Sequence, residues 1–293
     1  MNLVPPIHVP VLPAEVLHWL DPQPGQMIVD GTLGGGGHTR MIAERLGGEG
    51  FVLSLDRDPR AIAAAERNLA GLPVKIAQSN YCDLPEVLRE IEVPAVDAIL
   101  LDLGLSSDQL ADRERGFSFD SEGELDLRFN TDEGQPAWQM LQRLKENEIA
   151  DVIYQFGEER YSRRIARRIV EARTNQRPVR TAKELADLVR RSVPRSDQRI
   201  DPATRTFQAL RIAVNRELES LALALQRMPA LLRPGGKLAI ISFHSLEDRP
   251  VKEAFRTDER LQSLTKKPIV ASEEEVAQNP RSRSAKLRVA ARR

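Results

Sequence analysis

The chain has 293 residues, and 41% of them are hydrophobic, which is enough for a sizeable core in one large domain or two. Its 43 lysines and arginines balance its 43 aspartates and glutamates, so the net charge indicates neither a nucleic-acid-binding protein nor one that binds acidic partners. The single cysteine, Cys82, excludes a disulfide framework, and no apolar run approaches the roughly 20 residues of a membrane span, so we expect a cytoplasmic protein with neither a membrane nor a metal partner.

The first predicted strand runs straight into a glycine loop. The strand spans Met27 to Asp30, the loop contains the four glycines 34–37, and a predicted helix continues from His38 to Leu46. Without Cβ atoms the loop backbone can adopt positive φ and approach a ligand closely. Such a loop is typical of nucleotide-binding proteins, and a glycine-rich flexible turn is the alternative.

A second predicted strand, Phe51 to Leu55, completes a β-α-β unit and is followed by Asp56. An acid at this position commonly accepts hydrogen bonds from the ribose hydroxyls of an adenosine-containing ligand. The alternative is that the acid caps the next helix, which begins at Asp58-Pro59. Because Asp58 suits that cap better, we favour Asp56 as the ribose ligand.

The alternation of strands and helices continues and predicts a doubly wound parallel α/β sheet. Helices are predicted at 59–69 and 84–91, and strands at 74–78 and 96–101. Asp102 follows the fourth strand and therefore lies at the carboxyl edge, where such sheets bind their ligands. A turn or capping role for Asp102 is the alternative.

The pattern changes after Ser106. Residues 106–130 form an acidic predicted loop that contains Phe117, Phe119 and Phe129, and only helical patterns follow from Trp138 to Val193. We predict a helical domain, residues 109–205, inserted between the two parts of the sheet domain, residues 1–108 and 206–293. Residues 156–199 of this insert hold 13 basic and 6 acidic side chains, which a substrate-binding surface or a solvated helix face would each explain.

The sheet domain is predicted to resume with a long helix from Thr204 to about Leu232. One face of this helix is polar, with Thr204, Gln208, Arg211 and Asn215 at helical spacing. A strand from Lys237 to Phe243 then carries Ser242 and His244 to the ligand edge. Lys286 to Ala290 could supply an antiparallel edge strand.

Two ligands compete for the glycine loop. A dinucleotide motif needs a third glycine that this loop lacks, because Thr39 occupies its place. Asp30, at the end of the first strand, would repel a pyrophosphate but suits the positively charged amino and sulfonium groups of S-adenosylmethionine. The residues therefore favour a methyltransferase over an NAD-binding protein.

The motifs together resemble one family, the ribosomal RNA small subunit methyltransferase H family, from His8 to Arg288. The matching motifs are Asp30-Gly-Thr-Leu-Gly-Gly-Gly-Gly-His-Thr39, Asp56-Arg-Asp-Pro59, Leu100-Leu-Asp-Leu-Gly-Leu-Ser-Ser107, Arg115-Gly-Phe-Ser-Phe119, Leu125-Asp-Leu-Arg128, Gly157-Glu-Glu-Arg160, Pro202-Ala-Thr-Arg-Thr-Phe-Gln208, Ile241-Ser-Phe-His-Ser-Leu-Glu-Asp-Arg249 and Asn279-Pro-Arg-Ser-Arg-Ser284. The resemblance implies a Rossmann-like S-adenosylmethionine-dependent methyltransferase sheet interrupted by an inserted helical domain.

The resemblance also implies the reaction, which is methylation of the exocyclic N4 of a cytidine in the decoding region of 16S rRNA within the small ribosomal subunit. The positions that match the family's cofactor ligands are Gly36, Gly37, His38, Asp56, Tyr81, Asp102 and Gln109. Asp30 is a further cofactor-binding candidate, because its charge suits S-adenosylmethionine. The substrate-binding candidates in the matched motifs and on the polar helix face are Phe117, Arg128, Gln208, Arg211, Asn215 and Ser245. The oligomeric state stays open, a homodimer included.

The catalytic candidates are Asp102, Ser106 and His244, because the chain lacks the Pro-Pro-aromatic motif that enzymes methylating exocyclic amines in DNA carry after the fourth strand. Residue type does not decide which of the three accepts the N4 proton. An adenosine-sensing or rRNA-docking protein without activity is the alternative from another functional class.

Overall fold

The computed structural model describes residues 9–194 and 201–293. His8, Arg195 and Arg199, which contribute to the first matching motif and to the basic segment, lie outside the described residues. The chain divides into two compact units, one formed by the residues up to Ser106 and from Leu218 onward, the other by Ser107–Glu217.

The first unit contains a seven-stranded sheet in the order β3-β2-β1-β4-β5-β7-β6. The strands are β1 (Met27–Asp30), β2 (Phe51–Asp56), β3 (Val74–Gln78), β4 (Val96–Asp102), β5 (Leu232–Ser242), β6 (Leu261–Ser263) and β7 (Lys286–Arg292). Strands β1 to β5 pair in parallel, and β7 pairs antiparallel with both β5 and β6. The predicted Rossmann-like α/β sheet is confirmed, and so is the predicted antiparallel strand near Lys286.

Helices cover both faces of this sheet. They are α1 (Pro13–Leu20), α2 (Gly37–Leu46), α3 (Pro59–Asn68), α4 (Leu84–Glu90), α11 (Glu217–Arg227), α12 (Ser245–Thr257) and α13 (Glu273–Gln278). Alternate residues of each strand enter different cores: Val29 packs in one apolar cluster with Ile99, and Ile28 packs in the other with Leu100. Burial on both faces is the reason why the central strands are continuously apolar.

The second unit is mainly helical. Its helices are α5 (Ser107–Ala111), α6 (Ala137–Arg143), α7 (Glu146–Gly157), α8 (Ser162–Thr174), α9 (Ala182–Ser192) and α10 (Thr204–Asn215). Helix α9 begins with a capping box, in which the Thr181 side chain accepts a hydrogen bond from Glu184 N and the Glu184 side chain accepts one from Thr181 N. The division between the units places α10 in the helical unit, whereas the sequence prediction assigned residues 206–293 to the sheet domain.

The predicted single helix from Thr204 to about Leu232 is wrong. Helix α10 ends at Asn215, and Arg216 adopts a left-handed conformation with φ 53° that separates it from α11. The start predicted for the following strand is wrong as well, because β5 begins at Leu232. Leu232 pairs with Val96 and Lys237 pairs with Ala98, so the intervening residues, which include two glycines, form an irregularity within the strand.

Candidate active site

A buried hydrogen-bond network joins the carboxyl ends of β1 and β2 to the start of α2. Asp30, at the end of β1, accepts hydrogen bonds from Thr39 Oγ1 at 2.7 Å and from Thr32 N at 3.1 Å. Thr39 Oγ1 also lies 2.9 Å from Ser54 Oγ on β2. The side chains of Asp30, Thr39 and Ser54 are almost fully buried. Their network therefore fixes the glycine loop between β1 and α2.

Asp56 holds the glycine loop from the other side. Its Oδ2 accepts a hydrogen bond from Gly34 N at 2.8 Å, and its Oδ1 accepts one from Asp58 N at 2.9 Å. Gly34 and Gly36 have φ angles of 48° and 79°, which favour glycine. Asp58 caps α3 by accepting a hydrogen bond from Arg60 N, as predicted. Each Asp56 oxygen retains a second lone pair that can accept a ligand hydroxyl.

Asp102, at the end of β4, is tied to the same loop. Its backbone N donates to Thr32 Oγ1 at 2.7 Å, and its Oδ2 lies 3.7 Å from Nε2 of His38 at the start of α2. The other oxygen, Oδ1, is buried and accepts no hydrogen bond from any described side chain or backbone group. A buried acceptor of this kind is costly unless a ligand satisfies it.

These three carboxyl groups resist ionisation. Burial raises the pKa of Asp56 to about 6, and the nearby charge of Asp58 raises it further. The hydrogen bonds from the backbone N atoms of Asp58 and Gly34 act in the opposite direction. Burial, together with the charge of Asp30, raises the pKa of Asp102 to about 7, although Arg281 opposes the shift. Burial also raises the pKa of Asp30. A positively charged ligand at this sheet edge would stabilise the ionised form of these carboxyl groups.

Tyr81 lies against the same loop. Gly31, the first loop residue after β1, has no room for a side chain, since a Cβ there would lie 2.5 Å from Leu101 Cδ2 and 3.0 Å from Tyr81 Cβ. The predicted cofactor residues of the first unit are therefore brought together around residues 31–38. The remaining one, Gln109, is buried on α5 of the second unit.

The catalytic candidates Ser106 and His244 both lie in the first unit. A Cβ at Gly34 would lie 3.5 Å from Ser106 Cβ, so Ser106 borders the glycine loop. His244 follows β5 and is the residue before α12, and its Nε2 lies 3.0 Å from Oε1 of Glu247. Ser245 is the first residue of α12. Asp102 ends β4 and His244 lies two residues beyond the end of β5, so both are at the carboxyl edge of the sheet, as predicted, and Ser106 lies four residues beyond the end of β4.

The aromatic substrate candidate of the second unit is an interior residue. The Phe117 ring stacks on the Phe129 ring at 6.0 Å, and its side chain is almost fully buried. The neighbouring Phe119 packs edge-on against Phe207 of α10 at 4.8 Å. These contacts explain the aromatic residues of the acidic loop as a local core, and stacking on a substrate base stays a prediction.

The polar residues on α10 bind the chain of their own unit. Asn215 accepts a hydrogen bond from Phe129 N at 2.8 Å and donates one to Leu127 O at 2.7 Å, so it holds the acidic loop against the helix. Gln208 donates to Phe156 O, and Arg211 forms a two-pronged ion pair with Glu217. Arg128 forms a similar pair with Asp126. The substrate roles of these four side chains stay predictions.

Sequence reasoning missed four residues that organise the site, namely Thr32, Thr39, Ser54 and Glu247. Thr32 and Thr39 lie within the glycine motif, but their partners come from β2 and β4, which are distant in sequence. Among the described residues, no three His, Cys, Asp or Glu side chains are grouped to hold a metal ion. None of the helices in the described parts of the chain is long and apolar enough to cross a membrane.

Comparison with known proteins agrees with the motif resemblance. A sequence model of the MraW methylase family matches residues 6–293. The ribosomal RNA small subunit methyltransferase H of Rhodopirellula baltica is 51% identical, over 97% of this chain and 91% of that protein. The protein of the same name from Deinococcus deserti is 52% identical, over 98% of this chain and 93% of that protein. A solved structure of an rRNA methylase from Streptococcus thermophilus covers 96% of this chain and 93% of its own, with 11% identity and a TM-score of 0.45.

Proposed function

The chain belongs to the MraW methylase family, and on this premise we propose that it transfers a methyl group from S-adenosylmethionine to the exocyclic N4 of a cytidine in 16S rRNA. The family description supports methyl transfer. The names of the relatives, at 51% and 52% identity, support rRNA of the small ribosomal subunit as the substrate.

The observation that carries the cofactor assignment is the group of three buried carboxyl groups at the glycine loop. Their pKa values are raised, with about 6 for Asp56 and about 7 for Asp102. A sulfonium and an amino group would stabilise the ionised carboxylates, whereas the pyrophosphate of NAD would add further negative charge. The described residues therefore fit S-adenosylmethionine better than a dinucleotide.

The proposed cofactor contacts follow from the chemistry of each side chain. Asp56 accepts hydrogen bonds from the ribose hydroxyls, and Tyr81 stacks on the adenine. Asp102 and Asp30 provide negative charge for the amino acid end and the sulfonium. The remaining contacts are assigned to Gly36, Gly37, His38 and Gln109. The bound cofactor supplies an electrophilic methyl group.

The protein must compensate for a weak nucleophile. The N4 lone pair of cytosine is delocalised into the ring, so attack on the methyl carbon requires in-line alignment and an acceptor for one N4 proton. Alignment of two bound reactants can supply roughly 7 to 11 kcal/mol of the barrier reduction. The fixed loop and the rigid strand ends provide that alignment, and the side chains at the ends of β4 and β5 provide candidate proton acceptors.

The RNA contacts are proposed to come from the second unit. Arg163 and Arg164 project from α8 as exposed side chains, and the apolar stripe of that helix is buried. Basic side chains on one helix face can neutralise RNA phosphates without reading sequence. The unit would then position structured rRNA, and chemistry would take place in the sheet unit.

Transfer of tritium from labelled S-adenosylmethionine tests this function. We expect label on small ribosomal subunits purified from cells that lack the modification, and none on subunits that already carry it. Purified 16S rRNA, tested in parallel, shows whether the assembled subunit is required. A protein that binds S-adenosylmethionine but labels neither substrate would support the adenosine-sensing alternative and contradict methyl transfer.

A further inference from the structure

A histidine lies against a buried glutamate where β5 passes into α12. Nε2 of His244 lies 3.0 Å from Oε1 of Glu247. Oε2 of Glu247 accepts a hydrogen bond from Phe243 N at 2.8 Å, and only 3% of the glutamate side chain is exposed. The glutamate is in the first turn of α12, where the helix dipole favours a negative charge.

The nitrogen atoms of the histidine ring lack hydrogen-bond partners among the described residues. Both ring nitrogens of His244 are buried, and neither makes a hydrogen bond of normal geometry with any described group. The contact between Nε2 and Glu247 is therefore close but outside hydrogen-bond geometry. A buried polar group without a hydrogen bond costs about 1 to 3 kcal/mol. A hydrogen bond from a group of the bound substrate would satisfy a nitrogen of this ring.

The pair belongs to the same edge of the sheet as Asp102. Asp102 is in register with Ile241 of β5, and Leu103 N donates to Ile241 O at 3.0 Å. Gly104 lies so close to the Phe243 ring that a Cβ would be 2.6 Å from its Cε2. The charge of Glu247 also contributes to the raised pKa of Asp102. The histidine is therefore beside the strand end that carries the proposed cofactor contact.

We propose that His244 is the base that accepts the N4 proton and that Glu247 is a positioning residue for it. This inference rests on the proposed function. The carboxylate beside Nε2 favours the tautomer with its proton on that nitrogen, which leaves the lone pair of Nδ1 as the acceptor. After proton transfer, the same carboxylate stabilises the imidazolium.

The step balances with the groups named. The N4 lone pair forms the new bond to the methyl carbon while the carbon–sulfur bond breaks and its electron pair stays on sulfur. One N–H proton of the positively charged N4 moves to Nδ1 of His244, and the imidazolium later releases it to water. Asp102 is the competing acceptor, and its role is decided by the test.

The test compares methyl-transfer rates of variants at saturating S-adenosylmethionine. His244→Ala should lower kcat about 100-fold or more, in the range of general-base catalysis, with unchanged cofactor affinity in calorimetry. Added imidazole should restore part of the kcat. The Asp102→Asn variant should weaken cofactor binding and show no response to imidazole. His18→Ala, on α1 of the same unit, is the matched control and should keep the parent rate.

Two further variants keep the inference falsifiable if the alanine variant does not fold. His244→Gln preserves side-chain size but removes the base, and it should lose kcat to a similar extent. Glu247→Gln should lower kcat and leave the KM for the subunit unchanged, because the glutamate acts through the histidine. The assignment would be overturned if His244→Gln kept the kcat of the parent protein, or if the His244 variants changed only the KM for the subunit. It would also be overturned if imidazole restored the kcat of Asp102→Asn and not that of His244→Ala. Failure of the parent protein to transfer methyl would instead contradict the proposed function.

Discussion

At the scale of single residues, we propose that Asp30, Asp56 and Asp102 determine what the glycine loop can bind. All three are placed at strand ends by the sheet, and all three have pKa values above those of ordinary carboxyl groups because they are buried. Burial therefore makes ionisation of these carboxyl groups less favourable than ionisation of an ordinary aspartate. A cationic ligand reverses this balance, so binding should be linked to proton release.

Calorimetry in buffers of different ionisation enthalpy can measure that linkage. Burial raises the pKa of Asp102 to about 7. S-adenosylmethionine should lower this pKa and release a fraction of a proton near pH 7, and its affinity should fall as the pH is lowered below 7. S-adenosylhomocysteine, whose sulfur is neutral, should release less. An observed binding enthalpy that is the same in every buffer would contradict the cationic-ligand account.

The Thr39→Val substitution tests the network beneath the loop. It keeps the shape of the side chain but removes the hydroxyl that donates to Asp30 and contacts Ser54. Loss of a donor to a buried carboxylate should lower the free energy of unfolding by about 1 to 3 kcal/mol and weaken cofactor binding. Ser54→Ala leaves the bond to Asp30 intact and should cost less in denaturant titrations. Equal stability of Thr39→Val and the parent would show that Asp30 needs no such donor.

Sequence patterns predicted residues that follow strands but not the partners that reach them across the sheet. Asp56 and Asp102 could be predicted because each follows an apolar strand in a β-α-β pattern. The bond between Thr32 and the backbone of Asp102 depends on strand order, since 70 residues separate the two. The same holds for Asn215, whose helical spacing marked it as unusual without indicating that it holds residues 127–129.

At the scale of elements, the breaks within continuous apolar patterns were the least predictable feature. The apolar spacing in the sequence continues from α10 into α11, and the intervening Arg216 is neither glycine nor proline. At β5, Pro234 and two glycines suggested the end of a helix, but they lie within a strand that is irregular against β4. Strands β1 to β4 agree with the predicted strands, and α6 to α9 lie in the span from Trp138 to Val193 where only helical patterns were predicted, whereas the short strand β6 was not predicted.

Helix α8 offers a matched pair of double variants for the RNA interface. Arg163 and Arg164 are exposed and have no ion-pair partner among the described residues, whereas Arg167 lies 3.8 Å from Glu146 and Arg168 bonds Glu171 at 3.0 Å. Replacing Arg163 and Arg164 by Gln should weaken subunit binding and flatten its salt dependence by about 0.7 to 0.9 log units per lost phosphate contact. Replacing Arg167 and Arg168 should have a smaller effect, and cofactor affinity should be unchanged in both.

Filter binding over a series of salt concentrations measures these slopes. If both double variants bound the subunit with the same salt dependence as the parent protein, the arginine face of α8 would be only solvated, and the helical unit would contact RNA elsewhere. An equal reduction in the two variants would show that the ion pairs with Glu146 and Glu171 do not compete with phosphate.

At the scale of the whole molecule, we assign cofactor chemistry to the sheet unit and RNA positioning to the helical unit. The first assignment depends on contacts within one compact unit, around residues 31–38. The second depends on the exposed charge of α8. The sequence predicted the insertion from a change in periodicity after Ser106, but the boundary at its far side depends on the tertiary packing of α10 and could not be derived from pattern.

Mass spectrometry of nucleosides tests the central claim most directly. Small subunits that lack the modification are incubated with the protein and S-adenosylmethionine, and the rRNA is then digested to nucleosides and to mapped oligonucleotides. We predict one added methyl group on N4 of a cytidine in the decoding region, absent when S-adenosylmethionine is omitted. A methyl group on carbon 5 or on a ribose, or no methylated cytidine at all, would contradict the account.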